Sequence, residues 1–374
     1  MKKVAFWTTL SDGGGSEFVW QELAEMLGSQ NHRIFVSLFD YPANAKFLER
    51  SKTWRDGLQL RRPRKSLAMS VAGRFGISLE NSSRPLIEAK PDALVINSDT
   101  TGWIADPGLA AAIHALDVPY VVIVHGSGGF FEDPVRENAQ KLYADAKAIF
   151  FVSDYTRRMT ERHLAMTLPN ARLFRNPVNG SIDKSNPPPY PSMPNGPVFA
   201  TVSRLNCYTK GHDYLFEALS DPVFQARDFS VKIYGDGQHA RYLHELIGHF
   251  GLANRVQLMG FASDINEVWS TAHVHLLPSI TEGAPLALVE AMLCGRPSVA
   301  TRVSGVPEWI DDGVEGYLSE NANVWNLIPA LEKALSNASQ LEEMGQRARL
   351  KAMSLIGDPV SDLRGSMLSL DGFL

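Results

Sequence analysis

Two glutamates, Glu282 and Glu290, stand eight residues apart in the segment SITEGAPLALVEAMLCG, which begins at residue 279. Glu282 follows the apolar run HLLPS and precedes Gly283, so we predict that it lies on a loop at the end of a strand. Pro285 is tolerated in the first helical turn, so a helix is predicted to begin near it and to carry Glu290 on its flank. A carboxylate only accepts hydrogen bonds, so each glutamate suits a donor such as a sugar or ribose hydroxyl.

The start of this predicted helix offers a place for an anion. Four backbone N–H groups surround it and the helix dipole favours negative charge there: those of Gly283, Ala284, Leu286 and Ala287. A phosphate at the helix tip with hydroxyl-bearing groups on both sides is the outline of a nucleotide-sugar. The spacing alone is equally consistent with a structural arrangement, in which Glu282 interacts with the helix dipole and Glu290 lies on a solvated face.

Positive charge is predicted at the end of another strand. The segment TVSRLNCYTKG places Arg204 and Lys210 six residues apart, directly after a strand pattern. Arg can grip a phosphate with two donors and Lys supplies a compact charge, although such a pair is more often a surface feature. Two further strand ends, IYGDG with Gly235 and MGF with Phe261, offer turns where a nucleobase could approach the backbone. Each of these turns is a weak signal alone.

The first half of the chain holds two more candidates. The segment DGGGS (12–16), with Gly14 and Gly15, joins a predicted strand to a helix and has the build of an anion-accepting loop. His125 ends the run YVVIVHG, and a position at the ligand-binding edge of a sheet favours a functional role over a structural one. No HExxH and no Asp-x-Asp occurs. We therefore predict no metal site, with Arg204 and Lys210 supplying the positive charge.

The pattern of apolar runs predicts two α/β domains. Short strand-like runs alternate with helical patterns on both sides of a proline-rich segment, which indicates parallel sheets built from βαβ units. We predict an N-terminal domain at 1–178, a linker at 179–196 and a C-terminal domain at 197–357. A last helix at 358–374 is expected to return to the first domain. Ligands of such sheets bind beyond the C-terminal strand ends, so the site is expected in a cleft between the domains.

Composition limits the class of protein. The 374 residues carry a formal net charge of −5 and two cysteines without metal spacing, and no apolar run reaches the ~18–20 residues needed to span a bilayer. We expect a cytoplasmic protein. Residues 46–65 carry eight basic and two acidic side chains. They are interpreted as a solvated loop, or as a patch for an anionic acceptor or the inner face of a membrane. Nucleic acid ranks below these because aromatic residues are sparse there.

At this point the chain resembles glycosyltransferase family 4, the retaining enzymes of the GT-B fold. The segment EGAPLALVEAMLCGRPSVATRVSGVPEWIDDGVEGYL is similar to that family's E-x7-E signature, and SRLNCYTKG is similar to its Arg…Lys diphosphate motif. IYGDG resembles its glycine turn. The resemblance implies two Rossmann-like domains facing each other across a cleft.

The resemblance also implies roles for the candidate residues. Glu290 would hold the ribose and Glu282 the transferred sugar, with Pro285 and Leu286 in the same donor-binding segment. Arg204 and Lys210 would neutralise the diphosphate, Gly14 and Gly15 would close on it, and His125 would contact the sugar. An aromatic residue is frequent in the family at the position of Ala284, so sugar packing there is expected to differ.

The implied activity is transfer of a hexose-type sugar from a nucleoside-diphosphate sugar, without a cofactor or metal. The acceptor is a hydroxyl of a glycan, a lipid-linked molecule or a small molecule, as in polysaccharide or glycoconjugate biosynthesis. Two alternatives stay open: a GT-B nucleotide-sugar epimerase, and a non-catalytic protein that binds nucleotide-sugars.

Overall fold

A computed structural model of the chain describes residues 1–9, 15–39, 45–53, 55–61, 83–100, 107–178 and 182–374. The chain divides into two compact units. One comprises Met1–Pro177 together with Asp358–Leu374, and the other comprises Val178–Gly357. Each unit contains one sheet of parallel strands that alternate with helices along the chain. The α/β class predicted from the alternating pattern is therefore confirmed.

The first unit contains a seven-stranded sheet. Its strands are β1 Lys3–Thr8, β2 Arg33–Phe39, β3 Arg55–Arg61, β4 Ala93–Ser98, β5 Tyr120–Val124, β6 Ala148–Phe151 and β7 Ala171–Leu173. They lie in the order β3-β2-β1-β4-β5-β6-β7, and all neighbours are parallel. Strands β4, β5 and β6 are buried along their whole length, which explains why they read as continuous apolar runs.

In the described residues, six helices connect these strands. They are α1 Gly15–Ser29, α2 Ala45–Arg50, α3 Arg84–Ala89, α4 Pro107–Leu116, α5 Asp133–Asp145 and α6 Asp154–Leu164. Helix α6 shows how local sequence sets a boundary: Ser153 Oγ accepts the N–H of Thr156 at 3.1 Å, and Ala165 ends the helix with a φ of +51°.

The second unit contains a six-stranded parallel sheet. Its strands are β8 Val198–Val202, β9 Ser230–Tyr234, β10 Val256–Gly260, β11 Val274–Leu277, β12 Ser298–Thr301 and β13 Gly316–Ser319. They lie in the order β10-β9-β8-β11-β12-β13. Its helices are α7 Cys207–Lys210, α8 His212–Leu219, α9 Ala240–His249, α10 Ile265–Thr271, α11 Leu286–Leu293, α12 Val324–Ser336 and α13 Leu341–Ile356.

The C-terminal helix α14, Pro359–Leu368, belongs to the first unit. Arg364 donates to Gln30 Oε1 at 2.9 and 3.1 Å, and Lys2 Nζ donates to the carbonyl of Gly372 at 2.6 Å. These polar contacts join the end of the chain to helix α1 and to the start of strand β1. No helix in the described residues is long and apolar enough to cross a membrane.

A buried arginine attaches the proline-rich segment to the second unit. Arg296 is 1 % exposed, and its guanidinium donates to the carbonyls of Pro188 at 2.9 Å, Pro189 at 2.7 Å and Ala272 at 3.1 Å. It also donates to the carbonyls of Cys294 and Trp269. The five donors of one guanidinium thus serve buried and part-buried carbonyls of separate segments. Most of the predicted linker therefore packs as part of the second unit, and its residues 179–181 lie outside the described residues.

We predict that Arg296→Met lowers the free energy of unfolding by about 3 kcal/mol or more, because several buried carbonyls lose their donor while the side-chain volume is kept. Urea denaturation followed by tryptophan fluorescence measures the change. Arg255→Met is the matched control, because Arg255 donates to the carbonyls of Phe224 and Gln225 from a less buried position. Equal losses in the two variants would contradict this account.

Candidate active site

The C-terminal edge of the second sheet brings most of the sequence-predicted residues onto neighbouring loops. The strand order β10-β9-β8-β11-β12 places Phe261, Gly235, Arg204, the loop 278–285 and the loop 302–305 side by side along this edge. Neighbouring strands lie about 4.8 Å apart, so the end of β10 and the end of β11 are separated by roughly 14 Å. An extended ligand could therefore contact several loops at once.

A close ion pair joins the loops that follow β8 and β11. Lys210 Nζ lies 2.5 Å from Glu282 Oε1, and Ser279 Oγ donates to the same oxygen at 2.6 Å. The side chain of Lys210 is 20 % exposed and that of Glu282 is 8 % exposed. Charges held this close and this far from solvent interact more strongly than a surface pair. The structure thus unites two residues that the sequence analysis selected for separate reasons.

Lys210 is placed by a single helical turn. Helix α7 begins after Asn206, whose side chain accepts the N–H of Tyr208 at 3.1 Å, and it ends at Gly211 with a φ of +62°. A Cβ at Gly211 would lie 2.2 Å from the carbonyl oxygen of Pro278, at the end of β11. Only glycine fits there. The close approach brings the two loops together, and Ile280 N donates to Thr209 O at 2.9 Å.

The loop that carries Glu282 is held from its other side by β12. Thr301 Oγ1 donates to the carbonyl of Ser279 at 2.6 Å, and Ser304 Oγ accepts the N–H of Glu282 at 3.2 Å. Ser304 has a φ of +49°, an uncommon conformation for a residue with a side chain. These hydroxyls were missed in the sequence analysis, because isolated Ser and Thr residues give no signal of which distant loop they bind.

Helix α11 begins at Leu286, one residue after Pro285, and carries Glu290 in its second turn. The N–H groups of Leu288 and Val289 bond to the carbonyl of Pro285, whereas the first N–H groups of a helix have no acceptor within it. Gly283 and Ala284 precede the helix, and both are half-buried. The arrangement keeps backbone donors at the helix start, close in sequence to the ion-paired Glu282.

The turns at Gly235 and Gly260 contain glycine for different structural reasons. A Cβ at Gly235 would lie 1.9 Å from the carbonyl oxygen of Ser203, so this glycine is required by contact with the loop that carries Arg204. At Gly260, with a φ of +73°, an added Cβ would meet nothing within 4 Å. Phe261, next to it, is 76 % exposed. Room for a ligand therefore exists beside Gly260, whereas the space over Gly235 is filled by the protein's own backbone.

His125 lies at the end of β5 in the first unit and is 6 % exposed. Its Nε2 lies 2.9 Å from Asn97 Oδ1, and its ring contacts the edge of the Phe174 ring. Burial lowers the pKa of His125 from 6.5 to about 3. The imidazole is therefore neutral at neutral pH. Its other nitrogen, Nδ1, is buried without a hydrogen-bond partner among the described residues.

Other predicted positions are described in part. Gly14 lies outside the described residues, and Gly15 is the first residue of α1. The basic segment 46–65 contributes α2 and the edge strand β3, and its residues 54 and 62–65 also lie outside. On β3, Asp56 accepts from Lys3 and Arg33 at 2.9 and 2.7 Å, which lowers the pKa of its carboxyl. Binding of a membrane or an acceptor by this segment stays a prediction.

A buried carboxyl in the first turn of α1 was also missed by the sequence analysis. Glu17 is 5 % exposed, and its Oε2 accepts the indole N–H of Trp20 at 2.5 Å. The Trp20 ring packs against Phe47 at 4.7 Å between centroids. Burial in these aromatic surroundings raises the pKa of Glu17 from 4.5 to about 7, although the bond from Trp20 opposes the shift.

Residues 13–180 match the family model Glycosyltransferase Family 4, and residues 196–337 match the model Glycosyl transferases group 1. Together the two matches cover most of the chain. The chain therefore belongs to the glycosyltransferases that combine these two domains, and the resemblance found in the sequence is confirmed.

Similar proteins extend this comparison. The chain is 32 % identical to alpha-D-kanosaminyltransferase of Streptomyces kanamyceticus over 41 % of its length and 40 % of the relative. It is 29 % identical to the GDP-mannose-dependent alpha-(1-6)-phosphatidylinositol monomannoside mannosyltransferase of Mycolicibacterium smegmatis, over 58 % of this chain and 60 % of that protein. The chain thus spans less than two thirds of either curated relative.

The fold is shared over the whole chain. The crystal structure of Anabaena HepE in complex with UDP and glucose gives a TM-score of 0.74 at 19 % identity and covers 99 % of this chain and 100 % of that one. Sucrose-phosphate synthase from Thermosynechococcus elongatus gives 0.70 at 15 % identity, with 98 % of each chain covered. At these identities the likeness concerns the fold alone. The predicted GT-B fold is confirmed.

We predict that Glu17→Gln gains stability relative to the wild type as the pH rises. The folded chain keeps the Glu17 proton up to a pH of about 7 and the unfolded chain releases it near pH 4.5, so the wild type loses stability between these values. Glutamine keeps an acceptor for Trp20 and stays neutral. Urea midpoints at pH 5 and pH 8 should show a relative gain of about 2–3 kcal/mol.

Glu22→Gln is the control for this comparison, because Glu22 is an exposed carboxyl of the same helix. A relative stability of Glu17→Gln that does not change between pH 5 and pH 8 would contradict the raised pKa.

Proposed function

We propose that this chain is a retaining glycosyltransferase that moves a hexose-type sugar from a nucleoside-diphosphate sugar to an acceptor hydroxyl without a divalent metal. The observation that carries the proposal is the 2.5 Å contact between Lys210 and Glu282, on the loops beside the start of α11. The ammonium suits a phosphate, the carboxylate suits sugar hydroxyls, and the helix start suits a second phosphate oxygen. A nucleoside-diphosphate sugar carries all three groups.

Similar proteins support a donor of this kind. The Mycolicibacterium relative is named as GDP-mannose-dependent, and the Anabaena structure of the same fold was solved with UDP and glucose. A further structure of that protein contains UDP-glucose. The base and the sugar differ among these proteins, so they support the class of donor and leave its identity open. The acceptor is a glycan, a lipid-linked molecule or a small molecule.

In the proposed reaction the bond between the anomeric carbon and the diphosphate oxygen breaks, and the diphosphate leaves with the electron pair. The acceptor oxygen bonds to the anomeric carbon on the same face, and its proton passes to the leaving diphosphate oxygen. Negative charge therefore grows on the diphosphate in the transition state. Lys210 and Arg204 are the side chains proposed to stabilise this charge. Such stabilisation is largest where the positive groups are already positioned before the reaction.

The ion pair prepares both residues for this exchange. Without a donor, Glu282 holds the ammonium of Lys210 in the partly buried position where a phosphate would need it. When a donor binds, phosphate oxygens replace the carboxylate on Lys210, and sugar hydroxyls donate to Glu282. Each charge thus keeps a partner throughout, which avoids the cost of leaving a buried charge unpaired. Glu290 is proposed to accept from the ribose hydroxyls, in line with the family resemblance.

Lys210→Ala is predicted to lower kcat about 100-fold or more with the best donor of a panel of nucleoside-diphosphate sugars, because charge stabilisation of the leaving group is lost. Release of nucleoside diphosphate measures the rate. Lys333→Ala is the control, because Lys333 pairs with Asp312 at 3.5 Å elsewhere in the second unit. A near wild-type rate for Lys210→Ala would remove this residue from the site.

Analysis of the products in the same assay separates the alternative functions. A glycoside with the anomeric configuration of the donor, detected by NMR, supports a retaining transferase. Isomerised donor supports an epimerase. Saturable donor binding without turnover, across the donor panel and a range of acceptors, supports a non-catalytic protein.

Activity is predicted to persist in EDTA, because the proposed charge stabilisation comes from Arg204 and Lys210. Initial rates are compared with EDTA and after addition of Mg²⁺ or Mn²⁺ to the stripped protein. Rates within about twofold of each other fit this view. A rate that is lost in EDTA and restored by one metal would contradict metal-independent transfer.

A further inference from the structure

A buried polar cluster lies at the C-terminal ends of three strands in the first unit. Thr8 ends β1, Asn97 lies near the end of β4, and His125 follows β5. Asn97 is 1 % exposed, and its Oδ1 lies 2.9 Å from Nε2 of His125. Its Nδ2 donates to Thr8 Oγ1 at 3.5 Å. The amide therefore bridges the hydroxyl on one strand and the imidazole on another.

This bridge determines which ring nitrogen of His125 carries hydrogen. Because the amide nitrogen of Asn97 faces Thr8, its oxygen faces the imidazole and can only accept. Nε2 must then be the protonated nitrogen of the neutral ring, and Nδ1 carries a lone pair. Nδ1 is buried and has no hydrogen-bond partner among the described residues. A buried acceptor without a partner is uncommon and points to a ligand that donates to it.

We propose that Asn97 is a positioning residue that fixes His125 as the Nε2–H tautomer, so that Nδ1 accepts a hydrogen bond from a substrate hydroxyl. The tautomer is a property of the chain itself. Its use in recognising a hydroxyl-bearing substrate rests on the proposed function. A sugar hydroxyl can donate such a hydrogen bond. The neutral imidazole would therefore favour a hydroxyl over a substrate group that can only accept a hydrogen bond.

The surroundings of His125 keep the ring neutral. Among the residues that the structure describes, the amide of Asn97 and the ring of Phe174 face it, with ring centroids 6.4 Å apart in the latter contact. The charged groups of the adjoining segments have other partners: Asp99 accepts from Thr9 and Thr100, and Arg175 donates to the carbonyl of Val152. Burial is the cause of the lowered pKa of His125, and no charged group in the described part of the chain opposes it.

An aspartate in place of Asn97 is expected to favour the charged form of His125 over the neutral form. Its carboxylate would face Nε2 at a hydrogen-bonding distance and favour the imidazolium, so the pKa of His125 would rise. In the imidazolium both nitrogens donate, and Nδ1 can no longer accept from a hydroxyl. The substitution changes charge with almost no change in shape.

The first test measures the tautomer in the protein without substrate. Histidine is labelled with ¹⁵N, and the signals of His125 are assigned by their loss in His125→Gln. Wild-type protein at pH 7.5 should show Nε2 protonated and Nδ1 as an acceptor. Asn97→Leu should show a mixture of tautomers, and Asn97→Asp should show the imidazolium. A wild-type ring protonated at Nδ1, or a mixture in the wild type, would overturn the proposal whatever the chain catalyses.

The second test follows kcat/KM against pH. Asn97→Asp should approach the wild-type rate only above the new pKa of His125, and below that pKa it should lose activity relative to the wild type by about tenfold for each pH unit. Ser98→Ala is the matched control, because Ser98 is a buried hydroxyl on the same strand that donates to the carbonyl of Thr100 instead. It should keep the wild-type profile.

The outcomes of the two tests are separable. A ratio of variant to wild-type activity that stays constant with pH, with His125 shown to be an imidazolium in Asn97→Asp, would overturn the hydroxyl-accepting role of Nδ1. No transfer by any variant or by the wild type, with the predicted tautomer present, would overturn the proposed function and leave the positioning by Asn97 standing.

Discussion

The contact between Lys210 and Glu282 is the interaction on which the candidate site depends. The residues lie 72 positions apart in the chain and meet because β8 and β11 are neighbours in the sheet. Their loops are also joined through the backbone, by the bond from Ile280 to Thr209. A displacement of either loop would therefore move both charges. The ion pair and the backbone contact together hold two separate segments against each other, as the support of a binding site requires.

Glycines make this close approach possible. At Gly211 the backbone of α7 comes so near the end of β11 that no side chain fits, and at Gly235 the same is true of the loop after β8. The turns at Gly235 and Gly260 were interpreted as places where a nucleobase could approach the backbone. The structure adds that Gly211 and Gly235 also serve contacts between neighbouring loops, whereas a Cβ at Gly260 would meet nothing within 4 Å. Glycine motifs at sheet edges can thus reflect the assembly of a site before any ligand enters it.

The sequence predicts the strands with long apolar runs and misses those without them. Arg33–Phe39 and Ala93–Ser98 coincide with the strand-like runs RIFVSLF and ALVINS of the sequence, because residues 34–38 and 93–98 are buried and mostly apolar. Arg55–Arg61 was interpreted as a loop or patch, because an edge strand half open to solvent keeps charged residues. Ala171–Leu173 is too short to give a pattern. Glu282 and Lys210 could be selected from the sequence by their residue type and their position at strand ends. The supporting hydroxyls of Thr301 and Ser304 and the amide of Asn97 could not, because common polar residues do not reveal their distant partners.

The ion pair also limits which ligands suit the site. The carboxylates of Glu282 and Glu290 offset the positive charges of Arg204 and Lys210, so these four side chains carry no net charge in total. A phosphate alone would take Lys210 from Glu282 and leave a carboxylate that is 8 % exposed without its cation, at a considerable cost. A ligand that carries hydroxyls beside its phosphates supplies new donors to that carboxylate at the same time. The amides at the start of α11 add attraction for the anion without adding a charge that must itself be balanced. Under the proposed function, a near-neutral site of this kind would therefore favour a sugar joined to a diphosphate over either part alone.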